Sequence, residues 1–402
     1  MTPSMKSKKT ANIAFASSAA LLVAALVWLL VGVPALVKYP TDLEASPQYT
    51  GTFAVLVNPT TYAPLPEPTK LPLTIDRHIE VVDSSGSRAV VAETIHQKAG
   101  TLVDSTQRNQ YVMDRRTLKN VKDPRAWAFE PSNVVDRSGT YRLNLPFDTK
   151  SDGDYAIWKN EFGKPYEMQG VPGDSTALRA GLTLQNHRGE ATDVPITDAY
   201  FEELTKSLPL PTSLTLDQLK PQLAAAGFDV DAVLPALLPK LSAADAATLA
   251  TLAAKPIPLQ YVMSFDGHAA IEPRTGAEVV VGATESLGIK PSSPDLPAIR
   301  ALLQKYRQLP EAVTAATALD RLASSAIPVV SYTYEQTPAS VRDIAAQVKD
   351  MRRQVILATV WVPSLLAGLA GVALLVGAWS WPRGPRAGRA RGRVAVPRPV
   401  RT

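Results

Sequence analysis

The chain has 402 residues, 42 Lys and Arg against 37 Asp and Glu for a net charge of +5, and no cysteine. The missing cysteines exclude a disulfide framework and any Cys-based metal or nucleophile chemistry. Lys6, Lys8, Lys9 and seven arginines beyond Trp381 hold the basic excess; the rest carries 32 basic against 37 acidic groups, which does not predict a nucleic-acid-binding surface.

Residues 1–12 read as a short basic cytoplasmic N-terminus. Residues 13–37 are uncharged and long enough to cross a hydrocarbon core of about 30 Å. This predicts transmembrane helix 1, an uncleaved signal anchor, because the run exceeds the ~7–15 apolar residues of a cleavable signal.

Residues 38–336 are predicted to form an extracytoplasmic β-rich domain. Prolines cluster over 58–73, which reads as an extended surface connection. Leu73, Ile75, Arg77, Ile79 and Val81 then alternate with Thr74, Asp76, His78 and Glu80. A turn at Asp83–Gly86 leads into Val91, Glu93 and Ile95, and a third strand follows over 101–114, an antiparallel meander. Further strands are expected at 139–147, 152–158, 181–187, 260–272 and 277–284. Pro273 to Gly276 supply the last turn. Helical insertions are expected at about 214–254, with Ser242 and Asp245 as a capping pair, and at 296–323.

Residues 337–354 predict an amphipathic stalk helix, with Thr337 as N-cap and Pro338 in the first turn. Val341, Ile344, Ala345, Val348 and Met351 form its apolar stripe, which can pack on the domain or lie on a membrane. Residues 355–381 are again uncharged, with Trp361, Trp379 and Trp381 near the ends, and predict transmembrane helix 2. The Arg-rich tail 382–402 then orients the chain: both termini cytoplasmic, the centre outside, in a plasma membrane or cell envelope. Small residues every fourth position, Ala16, Ala20 and Ala24 in the first span and Ser364, Gly368, Ala373 and Gly377 in the second, suit close helix pairing within the chain or with a second copy.

No HExxH, GxSxG, Walker or dinucleotide pattern occurs. His78, His96, His187 and His268 are far apart and read as ordinary face residues. Ser151 to Asp154 reads as a turn and not a calcium loop. The expectation is no enzyme: no catalytic, cofactor-binding or metal residue, and no cofactor.

The segments VPALVKYPTDL, RHIEVVDSSG with ETIHQKAGTLVDSTQRNQYVMDRRTLKNV, VVDRSGTYRLNLPFDTKSDGDYAIWKN, IEPRTGAEV and YEQTPASVRDIAAQVKD, in that order between two spans, resemble the actinobacterial PorA porin family. The resemblance covers nearly the whole chain except 214–254. It implies a membrane-anchored cell-envelope protein concerned with channel formation or solute permeability. The fold expected is an α+β membrane protein, with two transmembrane helices flanking a large, mainly antiparallel, barrel-like extracytoplasmic domain.

The architecture is also similar to that of class B scavenger receptors, which implies lipid binding or transfer; a third alternative is an envelope scaffold. Expected partners are membrane lipids, envelope lipids and a homo-oligomer through the spans, with no nucleic acid. If the strands close into a barrel, Ile75, Ile79, Val91, Val262, Val279 and Val281 form its inner face. A polar cavity there speaks for solutes and a long apolar one for lipids, whereas an exposed apolar patch on 214–254 speaks for a scaffold.

Overall fold

The computed structural model describes residues 5–177, 181–225 and 227–381. The tail arginines Arg383 to Arg401 lie outside the described residues. Two compact units form, Met1–Val37 with Gln354–Thr402, and Lys38–Arg353.

The first unit begins with α1 (Met5–Val27), a π-helical turn (Trp28–Gly32) and α2 (Val33–Leu36). Its second half, near the end of the chain, is another π turn (Leu357–Trp361) followed by a helix over Val362–Ser380. Pro34 and Pro363 sit just after the π turns. Proline lacks the N–H of the α ladder and clashes with the carbonyl four residues back, and a widened turn relieves both faults. The halves pack together: Ser18 Oγ donates to Ala370 O at 2.9 Å and Trp28 Nε1 to Ala358 O at 2.8 Å. A side chain at Gly377 would meet Phe15 at 3.2 Å, so glycine permits this approach, whereas Gly368 faces open space.

The second unit is built on β1 (Glu44–Ala45), β2 (Gln48–Val57), β3 (Pro64–Ser85), β4 (Arg88–Ala99), β5 (Val103–Asp114), β6 (Trp127–Ala128), β7 (Asp154–Lys159), β8 (Lys164–Ala177) and β9 (Thr183–Pro195). Helix α3 (Asp198–Thr205), β10 (Ser213–Leu214), α4 (Leu216–Ala225), α5 (Val230–Leu237) and α6 (Ala243–Ala253) follow. Then come β11 (Ile257–Glu272), β12 (Ala277–Pro291), α7 (Leu296–Lys305), α8 (Pro310–Ser324), β13 (Ile327–Gln336) and α9 (Pro338–Ile356); α10 is the Val362–Ser380 helix.

The strands form one antiparallel half-barrel sheet in the order β6-β5-β4-β3-β2-β13-β12-β11-β9-β8-β7, with β1 on β3 and β10 on β11. The fold is thus α+β with a large antiparallel sheet and two apolar terminal helices. The connection 115–153 links the sheet's edges. Met113 bridges Asn120, whose N–H donates to Thr140 O at 2.8 Å, and Tyr141 N–H donates to Ala156 O of β7 at 2.9 Å. Helices α4 to α8 form a cap joined to the sheet's core through Leu219, Leu223 and Val230. Helix α9 lays Val341, Ile344, Ala345 and Val348 on Leu182, Leu184, Ala270 and Val279 of the sheet. Its Arg352 Nε lies 3.2 Å from the buried Glu272 carboxylate.

Several expectations are corrected. Residues 64–73 are strand, not surface connection: opposite β2 they pair from Pro64, but β4 joins only at Leu73, so the intervening prolines have one side on which no N–H is required. Residues 139–147 are not a strand and make only isolated bridges at Tyr141 and Asn144. Strands β2 and β8 and helix α3 were not anticipated. The inner-face set divides. Ile75, Ile79 and Val91 pack in the two central clusters and Val281 lies against both. Val279 is the extra residue of a β-bulge, because Ala270 pairs with Val280 and Ile271 with Glu278, and it turns out toward α9. Val262 alternates with the inward Met263 and so faces the other side.

Candidate functional site

The sheet's inner face carries charges in step with its apolar residues. On β3, Arg77 lies in phase with Leu73, Ile75 and Ile79, and on β4 Glu93 lies in phase with Val91. The Glu93 carboxylate is inaccessible to solvent and accepts from Arg77 Nε at 2.7 Å, Tyr111 OH at 2.7 Å and Asn109 Nδ2 at 2.9 Å. Arg142 Nη2 lies 3.5 Å away. Burial alone would raise this carboxyl, but Arg142, Arg77 and the Tyr111 hydroxyl outweigh it and hold it at about 2. Burial, with the Glu93 charge beside it, pushes the Tyr111 phenol up to about 12.

Arg137 extends the network to the barrel edge. Its guanidinium sits 4.5 Å from the Tyr111 ring centre and donates to Asn160 Oδ1, Gln110 O and Trp127 O at 2.9–3.0 Å. A second ionic cluster lies across the interior. Glu285 accepts from Lys159 Nζ at 3.1 Å on both oxygens, and from Tyr332 and Tyr334 hydroxyls at 2.9 Å each. Phe265 covers the ammonium at 4.6 Å.

Between these clusters is a lumen. Its main chamber, about 120 Å³, is lined by Arg77, Arg142, Lys159, Glu161, Glu278 and Glu285 among apolar and tyrosine side chains. A chamber of about 30 Å³ toward α3 shares Gln97, Gln107, Tyr200 and Tyr332 with it. A third, of about 70 Å³, shares Tyr49, Arg77, Glu278 and Val281 and continues to Ile344 and Met351 of α9. In the walls, Tyr39 OH, Arg77 Nη2 and Glu161 Oε2 are buried without a well-directed hydrogen bond, although Arg77 Nη2 lies 2.7 Å from Glu93 Oε1 and Glu161 Oε2 3.9 Å from Lys159 Nζ.

The cap holds a second, different cavity. A cleft of about 130 Å³ lies among Leu219, Leu223, Leu237, Leu249, Leu303 and Leu322 and further apolar neighbours, and among the described residues Lys255 and Ser293 are the only polar side chains on its wall. No large hydrophobic of 214–254 is exposed among the described residues, because the apolar faces of α4, α5 and α6 turn inward.

A family model described as Porin PorA matches residues 10–379. The chain belongs to this family. No curated protein matches it. Membership and the two apolar helices fit a porin-type protein of a membrane or envelope. In this PorA-family chain the large exposed apolar side chains concentrate on the terminal helices, while those of the sheet unit, such as Val82, Val134 and Val313, are scattered.

The four histidines are not brought together. His78, His96 and His268 lie on the outer face with Glu80, Asp104 and Glu335 nearby, and His187 is buried beside Tyr155. Ser151–Asp154 is a turn closed by Gly153 N–H on Lys150 O. Among the described residues no group of three potential ligands could hold a metal ion. The sequence reading did not single out Arg77, Glu93, Arg142, Lys159, Glu278 or Glu285. The available signal was a charge in step with the apolar face on neighbouring strands.

Proposed function

We propose that this PorA-family chain is a two-pass envelope protein whose sheet domain stands outside the membrane and takes small polar or charged solutes into the lumen of its half-barrel. Helices α1 and α10 anchor it in lipid, both termini are cytoplasmic, and it acts without catalysis. The observation that carries this reading is the row of chambers from α3 to α9, polar at the α3 end and with Arg77, Arg142, Lys159, Glu161, Glu278 and Glu285 on the walls of the other two. Neither span offers a polar face, so a membrane pore would need a second copy of the chain.

A second reading, binding of an envelope lipid, is supported by the leucine-lined cavity of the cap, whose wall, apart from Lys255 and Ser293, suits an acyl chain. A scaffold is less well supported, since the cap hides its apolar faces.

Planar-bilayer conductance of the detergent-purified full chain, beside native mass spectrometry, tests these readings. Discrete conductance steps that vanish when either span is replaced by polyleucine support the solute reading. Co-purified lipid without conductance supports the second, and neither result leaves the scaffold. Alkaline phosphatase fused after Gly170 and after Arg393 tests the topology; activity at Arg393, or none at Gly170, overturns it.

A further inference from the structure

The two larger chambers meet at Arg77 and Glu278. Arg77 and Arg142 share one carboxylate, Glu93, and they share it unequally. Arg77 holds Glu93 Oε1 closely, with Nε and Nη2 both 2.7 Å from it, whereas Arg142 donates to the same oxygen only at 3.5 Å and to Tyr111 OH at 3.3 Å. Glu278 is the other carboxylate whose charge both guanidiniums feel, yet it makes no hydrogen bond or ion pair among the described residues. Buried within the domain, its side chain is still partly accessible because it faces the chambers. Glu278 thus faces both guanidiniums on the wall of one chamber without bonding to either.

We propose that the chamber lined by Arg77, Arg142 and Glu278 is a binding site for a small anion, chloride or a carboxylate, occupied when Glu278 is neutral and vacated when Glu278 is ionised. The site deepens the solute-lumen reading and rests on it. With Glu278 ionised, four cations, Arg77, Arg137, Arg142 and Lys159, face four carboxylates, Glu93, Glu161, Glu278 and Glu285, and the charges balance. With Glu278 protonated, one positive charge is left uncompensated in the chamber that Arg77 and Arg142 line. The groups facing Glu278 are Arg77 on β3, Glu93 on β4, Arg142 in the connection and the phenols of Tyr49 and Tyr166; α9 contributes Gln347 and no charge. Burial pushes the Glu278 carboxyl up, against the pull of Arg77 and Arg142, so protonation begins at a higher pH than for an ordinary glutamate.

Chloride binding to the detergent-purified full chain, read from chlorine NMR line broadening across a pH series, tests this. The wild type should bind chloride increasingly as pH falls, and acetate should displace it. Glu278→Gln should bind at every pH and, in weakly alkaline buffer, at least about tenfold more tightly than wild type, the floor expected for removing a unit charge a few ångströms away at an effective dielectric of ~20. Glu278→Asp should restore the pH dependence, which a merely structural role would not predict. Equal broadening in wild type and Glu278→Gln at every pH overturns the site. Glu278-dependent chloride binding without bilayer conductance leaves the site standing and removes the permeation reading. Conductance with pH-independent chloride binding does the reverse.

Discussion

Replacing Glu93 with Gln probes the charge balance on which the lumen depends. The variant keeps the volume but leaves Arg77 and Arg142 facing a neutral amide at a side chain with no solvent contact of its own. The carboxyl is held at about 2 against an ordinary 4.5, and at 1.36 kcal/mol per unit this corresponds to about 3 kcal/mol of folding free energy near neutral pH. Mutational experience with broken buried ion pairs, about 3–5 kcal/mol, agrees. The sign follows from the depressed value: the contribution is complete above 4.5 and is lost as pH falls toward 2, where the native carboxylate takes up its proton. Urea unfolding of the purified full chain, followed by tryptophan fluorescence, should show Glu93→Gln about 3 kcal/mol less stable at neutral pH, with the gap closing below 4.5. A variant within about 0.5 kcal/mol of wild type, the range of an ordinary surface substitution, would refute the reasoning, as would a gap that ignores pH.

Other expectations follow from the same packing. Glu278→Gln should stabilise the domain at neutral pH, because its raised carboxyl costs stability as pH climbs through its titration; a stability difference that does not grow with pH would contradict this. Gly276→Ala should destabilise strongly, since φ is +69° and the new Cβ would lie 1.9 Å from Leu145 O; unchanged thermal unfolding would be the contrary result. Leu237→Ala, at a fully buried position beside the cap cavity, should cost about 2–5 kcal/mol and enlarge the cavity, measurable by urea unfolding. Arg352→Ala should cost about 1 kcal/mol, given its partial exposure, and raise amide exchange in α9 and around Glu272 before the rest of the sheet.

What could be read in the sequence, and what could not, follows from range. Residues 13–37 and 355–381 are uncharged whatever they pack against, so the apolar helices were visible at once. The alternation from Leu73 to Val81 and the Ser242 and Thr337 caps also depend only on near neighbours, and the corresponding elements are present. The prolines of 64–72 misled because their tolerance depends on which neighbouring strand is absent, and Val279 misled because a single-residue bulge shifts register. Arg77 and Glu93 were in plain view on their apolar faces, but nothing local says that Arg142 will join them. Lys159 meets Glu285 across 126 residues of chain. The sequence by itself therefore determined the apolar helices, the antiparallel strands and the family, because these are carried by periodicity and motif. Only the tertiary structure decided that the half-barrel holds an ionic lumen and the cap an apolar cavity. A buried charge takes its meaning from the partner it faces, and strand register across the whole sheet chooses that partner.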